Sequence, residues 1–416
     1  MELRDSKKTI SYFFRIALQL PTIALSTATM IAISRHLGPS GRGEVSQFLL
    51  LASFTSSIIC TPIFLNIMHL KNASEIKSYI SSSMFLFKRR NLILVGVLNL
   101  SLFSLEIAHR QVLNFEDIIY MNLLIIFYFI AAQIRDLLIR FQRNKIYAID
   151  LATQIVISGL ILGVLFFHNL AASDVIQIFV ITYATLASLL LVILKVRVKE
   201  FKYGHLVRSG INTLDHGTLP KTNDLFSKLG VLFQLSMSKD LLIGMLILSK
   251  TDFGLMSALT SFWVVIRFLK PSAVIQAKLG ANEKEVSTGL SRDILAYFFR
   301  ASSAIYVQMI TIGVVGLLSF AMTPILLGKG FSPSIGTVVA GTTSEILLMK
   351  CLYDLSTSTS KFSQNLFWYL IMLQIVFLIV IGFTGIRLTI EIIWISSTMS
   401  YLGWQVINHV RSRKWN

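Results

Sequence analysis

The sequence predicts an all-α, polytopic membrane protein, with about twelve transmembrane helices of about 20 residues each. Three observations predict it. Of the 416 residues, 54% are hydrophobic and only 14% are charged, against about 25% charged in an ordinary soluble domain. Mean hydropathy is +0.70, more apolar side chain than a water-soluble fold of this size can hide. The apolar residues also fall in runs long enough to cross hydrocarbon, separated by polar turns.

In chain order the runs are Ile10–Ser34, Val45–Leu70, Asn91–Ala108, Ile118–Ile134, Tyr147–Phe167 and Val175–Leu194, then Leu229–Ser249, Phe253–Leu269, Ala301–Leu326, Ile335–Leu355, Asn365–Thr384 and Thr389–Asn408. MELRDSKK leads straight into the first run with no small-residue cleavage site near its end, so that run reads as a retained span. Cys60 and Cys351 sit inside apolar runs, which makes them packing residues and excludes a disulfide framework.

Charge tests the count. There are 38 Lys and Arg against 21 Asp and Glu, a formal net charge of +17. In a soluble protein that excess would suggest nucleic acid; here no nucleic-acid partner is expected. With the N-terminus inside, 30 of the 38 basic residues fall in inner segments or, for Arg267 and Lys350, toward the inner ends of spans, 6 fall in outer segments, and Arg15 and Lys239 lie deeper within spans. Removing one span would flip every later loop and erase the bias. Both termini are therefore expected in the cytoplasm.

The longest polar stretch, Lys195–Lys228, divides the runs six and six. It gives an N-terminal lobe 1–194, a connector 195–228 and a C-terminal lobe 229–416, an organisation that transporters use to set a site between halves. A faint repeat agrees: Leu37, Gly43 and Ser46 recur as Leu248, Gly254 and Ser257, at the outer turn between the first two spans of each half.

The chain carries no GxxxxGK[ST] phosphate loop, no HExxH, CxxC or histidine cluster, and no GxSxG, and those patterns are what nucleotide, metal and acyl chemistry require. Outer loops are too short for a catalytic domain. The sequence reads as a non-enzyme without a cofactor. The Asn72-Ala-Ser tripeptide lies on the expected inner side and is discounted as a glycosylation acceptor.

Function is sought in polar residues inside spans, because an ionisable group in hydrocarbon costs several kcal/mol and faces a cavity or a partner. Arg15, Gln19, Thr22, Ser26 and Thr29 follow helical spacing and share one face of the first span. Hydrogen bonding between helices also explains such a face; it accounts poorly for the arginine, for which snorkelling to the inner headgroups is the alternative. Lys239 and Asp240 lie near the middle of the seventh span. Adjacent residues stand about 100° apart on a helix, so each is expected to find its partner elsewhere. Ser257, Thr260 and Arg267 share a face of the eighth span, with snorkelling an equal reading for Arg267. Glu345 and Glu391 are weaker candidates. Arg15, Lys239 and Arg267 together make a positive vestibule suited to an anion such as a lipid pyrophosphate, and unsuited to a cationic drug.

Four segments resemble the polysaccharide-repeat-unit flippases (O-antigen or capsule type) of the multidrug/oligosaccharidyl-lipid/polysaccharide exporter superfamily. RHLGPSGRGEVSQF at Arg35–Phe48 is similar to that family's outer turn. RFQRNKIYAID at Arg140–Asp150 is similar to its basic connector between spans four and five. KDLLIGMLILSKTDFGLMSAL at Lys239–Leu259 resembles its seventh-span Asp and the opening of span eight. PILLGKGFSPS at Pro324–Ser334 resembles its Phe-Gly-x-x-Phe/Tyr turn. Departures are Leu327 where an aromatic is usual, Ser249-Lys250-Thr251 in place of a Gly-Pro-like turn, and Met256 near a common Tyr.

The resemblance implies a MATE-like fold, two six-helix lobes in a V around a central cavity, and alternating access. The implied cargo is a polyprenyl-pyrophosphate-linked oligosaccharide, moved from the cytoplasmic to the outer leaflet of a bacterial inner membrane. Some members couple to a proton or sodium gradient. Membrane lipids and a glycan polymerase of the same pathway are the partners this implies. Arg15, Gln19, Lys239 and Arg267 are then the substrate-binding residues, and Asp240 the ion-coupling or charge-pairing one. The competing reading is a multidrug or small-solute antiporter of the same fold. It is weakened because no acidic residue stands inside the first span, where drug exporters of the superfamily often keep one. A membrane glycan polymerase would need an outer loop that the sequence lacks.

Overall fold

The computed structural model describes residues 2–69, 96, 99, 115–141, 146–167, 170–197, 238–268, 302–357, 361–383 and 388–414. Every regular element among them is an α-helix. Helix is what an apolar run must adopt in hydrocarbon, where each backbone N–H has to be paired within its own segment. The helices are α1 (Glu2–His69), α2 (Phe115–Phe141), α3 (Ile146–Phe167), α4 (Ala172–Arg197), α5 (238–247), α6 (Lys250–Phe268), α7 (Ser302–Leu327), α8 (Ile335–Thr357), α9 (Lys361–Phe383) and α10 (Ile390–Lys414). Among the described residues, Ile118–Arg135, Ala148–Phe166 and Ala172–Ile193 are long and apolar enough to cross a membrane by length and composition. Ile312–Leu327 and Asn365–Leu378 are shorter apolar stretches. Most of the third expected span and of the connector lies outside the described residues.

The turn expected within 35–44 narrows to one residue: helix runs up to and away from Gly38, which breaks α1 with φ 67° and ψ −176°. A positive φ is the conformation glycine adopts at no steric cost. The break turns the residues just after Gly38 back toward the first arm of α1. Arg42 Nη1 stands 2.8 Å from Met30 Sδ, whereas twelve residues of unbroken helix span about 18 Å, beyond an arginine's reach. A second left-handed glycine, Gly328 at φ 106°, ends α7 by donating its N–H to the Pro324 carbonyl oxygen at 3.1 Å, as a helix C-cap does.

The chain forms two compact units, 47–234 and 1–46 with 235–416. In the first, α4 packs against α2 and α3 around Ala131, Ile134, Leu138, Leu186, Ala187 and Leu190. Arg135 pairs with Asp150 at 2.6 Å and ties α2 to α3. Phe166 and Ile181 face outward while Gln133, Ser158 and Thr182 are buried. In the second unit α7 packs on α6 and α8, and α10 on α8 and α9. Leu317, Ile325 and Leu373 face outward while Glu345, Gln374 and Ser397 are buried. Apolar outside and polar inside is the arrangement that suits a hydrocarbon solvent.

These units do not follow the lobe boundaries 1–194 and 229–416. Residues 1–46 belong with 235–416 because Arg42 bonds that arm of α1 to α6 and Arg35 bonds it to α7.

Candidate functional site

The second unit holds a closed polar cluster built on Lys239. Its side chain is fully buried, and Asp240 beside it is 17% exposed. The ammonium donates to Asp240 Oδ1, Gln374 Oε1 and Ser397 Oγ, each at 2.7 Å. A lysine has three N–H donors, so these bonds match its capacity. Ser397 Oγ donates in turn to Asp240 Oδ1 at 2.5 Å. Gln374 Nε2 donates to Ser397 Oγ at 2.5 Å and to Ser396 Oγ at 3.1 Å. The Tyr401 ring lies 4.8 Å from the ammonium, within cation–π range.

Three helices supply the cluster. α5 brings Lys239 and Asp240, α9 brings Gln374, and α10 brings Ser396, Ser397 and Tyr401. The register is set by packing. Gln374 and the buried Phe367 and Ile371 fall at helical spacing on one face of α9. Phe367 sits edge-on to Trp404 at 5.7 Å and stacks on Tyr401 at 6.2 Å, locking α9 to α10. α5 comes close to α6 because Gly244 lacks a Cβ: one there would stand 2.7 Å from Met256 Sδ.

The expectation that Lys239 and Asp240 do not pair is corrected. The four-carbon stem of lysine spans the angle between adjacent helical positions, and the ammonium meets the carboxylate directly. The partner on another span is also present, as Gln374 and Ser397. The pair is neutral as a unit, so Asp240 competes with any anion for Lys239. An anionic group reaches the ammonium only when Asp240, Ser397 or Gln374 lets go.

The other sequence candidates fare differently. Arg15 and Gln19 lie on α1 and Arg267 on α6, but their side chains lie outside the described residues. Thr29 is buried and donates to the Leu25 carbonyl oxygen at 2.8 Å, and Thr260 donates to that of Met256 at 2.8 Å; both return their hydroxyls to their own helix. Glu391 accepts from Ser334 Oγ at 3.0 Å and from Thr337 Oγ1, joining the start of α10 to the start of α8.

Sequence reasoning misses two features. Gln374 and Ser397 stand in apolar runs as ordinary polar residues, and only their position inside spans could flag them. Arg42 reads in the sequence as an outer-loop charge, yet it is 3% exposed. Its guanidinium donates to Ser261 Oγ at 3.1 Å and, more weakly, to Ser257 Oγ at 3.4 Å. Burial lowers its pKa to about 10, which leaves it charged at neutral pH.

No protein-family model and no curated protein sequence matches the chain. Two solved structures overlap it. One is an outward-facing multidrug resistance MATE family transporter of the MOP superfamily, at 12% identity and a TM-score of 0.47, covering 97% of this chain and 94% of that one. The other is a MATE protein in complex with Br-NRF, at 14% identity and a TM-score of 0.40, covering 96% of this chain and 93% of that one.

Proposed function

We propose that this protein is a membrane transporter working by alternating access. Its cargo is a polyprenyl-pyrophosphate-linked oligosaccharide repeat unit, carried from the cytoplasmic to the outer leaflet of a bacterial inner membrane. The lobes 1–194 and 229–416, joined by 195–228, rock about a central cavity, and both termini stay in the cytoplasm. Lys239 holds the pyrophosphate or an acidic sugar together with Arg15 and Arg267, and Gln19 contributes a polar contact. The glycan crosses through the cavity while the lipid tail stays in the bilayer.

The observation that carries this reading is the buried Lys239 ammonium inside an apolar helix, held by Asp240, Gln374 and Ser397. A purely structural pair here gains little over apolar packing, whereas an exchangeable cation has a use. Asp240 occupies Lys239 when the site is empty. Cargo displaces it, and a proton or a sodium ion then neutralises the freed carboxylate, which couples transport to a gradient. The four motif segments support the glycan-lipid class, and a glycan polymerase downstream is the expected partner.

The test is deletion of the gene in its host. The repeat unit on its lipid should accumulate in the cytoplasmic leaflet, and surface polysaccharide should be lost and then restored by the wild-type gene. Unchanged surface glycan, in a strain without a second flippase, together with lost drug efflux, would move the assignment to a multidrug antiporter.

A further inference from the structure

The faint sequence repeat has a counterpart in three dimensions. Gly43 and Gly254 meet backbone to backbone. A Cβ on Gly43 would stand 1.9 Å from the Lys250 carbonyl oxygen, and one on Gly254 would stand 1.9 Å from the Pro39 carbonyl oxygen. Pro39 is separated from Lys250, and Gly43 from Gly254, by the same interval. The third pair at that interval, Ser46 and Ser257, is 211 residues apart and shares a hydrogen bond at 2.8 Å. Equivalent residues of the two copies therefore contact one another reciprocally, as they do across a two-fold axis. Chance matches in sequence do not produce reciprocal contacts in space.

Three further ties hold this crossing, and none obeys the symmetry. Lys250 pairs with Glu44 at 3.1 Å. Arg42 reaches Ser257 and Ser261. Arg35 donates through Nε and Nη2 to the carbonyl oxygens of Leu326 and Ile325, at 2.6 and 2.7 Å. The repeat counterparts of Arg42 and Glu44 are the apolar Phe253 and Leu255.

The chemistry of these ties suits a contact that breaks. The Lys250–Glu44 pair is part-exposed, 41% and 25%, and pairs of that kind add little stability. Hydroxyls and charges regain water when they separate. Arg42 is the strongest sign. It is a buried cation whose partners among the described residues are two serines and a thioether, with no carboxylate. A buried charge without a counter-ion is costly to keep, and that cost favours a second conformation in which it regains water.

We propose that this reciprocal crossing is a gate at the end of the helices that carries 35–46. It is shut here, and it opens by parting α1 from α6 at Gly43 and Gly254. Opening hands Arg42 from Ser257 and Ser261 to water or to anionic cargo. The inference rests on the transporter reading, but not on which cargo is carried.

The test is a reversible lock. In a chain carrying Cys60→Ala and Cys351→Ala, the S46C/S257C pair is oxidised with copper phenanthroline in membrane vesicles and reopened with dithiothreitol. The expected result is transport at least tenfold lower when locked, recovering on reduction. Equal transport in both states overturns the gate and leaves the transporter intact. Should neither state transport the glycan-lipid, the cargo assignment fails, and the gate is read without cargo. Spin labels at the exposed Ser40 and Ser249 then decide. Two distance populations support a gate, and a single narrow population at the closed spacing overturns it.

Discussion

Lys239 and Arg42 lie in the same compact unit, each almost fully buried. Lys239 directs its ammonium to a carboxylate, an amide and a hydroxyl. Arg42 has two serine hydroxyls and a methionine sulfur. A buried charge that meets an opposite charge can rest; one that meets only neutral dipoles is held at a cost. Lys239 therefore fits a stored binding group that its own counter-ion occupies. Arg42 fits a group trapped by a closed crossing. The two regions need different experiments to separate them.

The largest effect is expected at the pair. Asp240→Asn alone should leave the ammonium buried without its carboxylate and cost about 3–5 kcal/mol, as the loss of one partner of a buried pair does. Lys239→Gln should cost a similar amount. The double change Lys239→Gln/Asp240→Asn should recover most of that stability without recovering transport. Thermal unfolding of the purified protein in nanodiscs checks the first part, and vesicle transport at matched protein level checks the second. If the double variant transports, the pair is only a structural tie.

The contrast also shows where the sequence is readable. Runs of apolar residues announce the helices, because period and length are local. Lys239 and Asp240 announce themselves, because a charge mid-run is conspicuous. Gln374 and Ser397 do not. Their bonds to Lys239 cross sequence separations of 135 and 158 residues, and nothing near either residue marks it. Arg42 is legible as a charge but not as a buried one, since a loop at the membrane surface explains it equally well. Leu37, Gly43 and Ser46 carry the repeat, but only the backbone contact of Gly43 with Gly254 shows that the copies touch.

A smaller effect is expected at the crossing. Gly43→Ala puts a methyl group where the Lys250 carbonyl stands, and overpacking of that sort costs about 1–3 kcal/mol. Its readout is a lower yield of the S46C–S257C disulfide at equal expression. An unchanged yield would mean that the crossing is looser than the contact distance implies.

Arg42→Met sharpens the comparison directly. It removes a charge that no described carboxylate depends on, so no partner acid is orphaned. Its stability cost should fall below that of Lys239→Gln, within about 1–2 kcal/mol of wild type, as for loss of ordinary hydrogen bonds. Unfolding midpoints of the two variants, measured side by side, decide it; an equal or larger loss at Arg42 would point to a hidden counter-ion.

The smallest effect is expected in the other unit. Gly159 and Gly163 in α3 have open space where a Cβ would go. Alanine at either should be neutral or stabilising by about 0.5–1 kcal/mol through the helix-entropy term, with transport unchanged. Hydrogen exchange of α3 reads the gain.

The most direct test of the central proposal uses purified protein in proteoliposomes. A fluorescent polyprenyl-pyrophosphate disaccharide is compared with the same glycan on a polyprenol lacking the pyrophosphate. Wild type should move only the pyrophosphate form, and Lys239→Gln, folded and inserted to the same level, should move it at least tenfold more slowly. If both lipids move alike, or if Lys239→Gln transports at the wild-type rate, then recognition of an anion by this buried cation is not how the protein works.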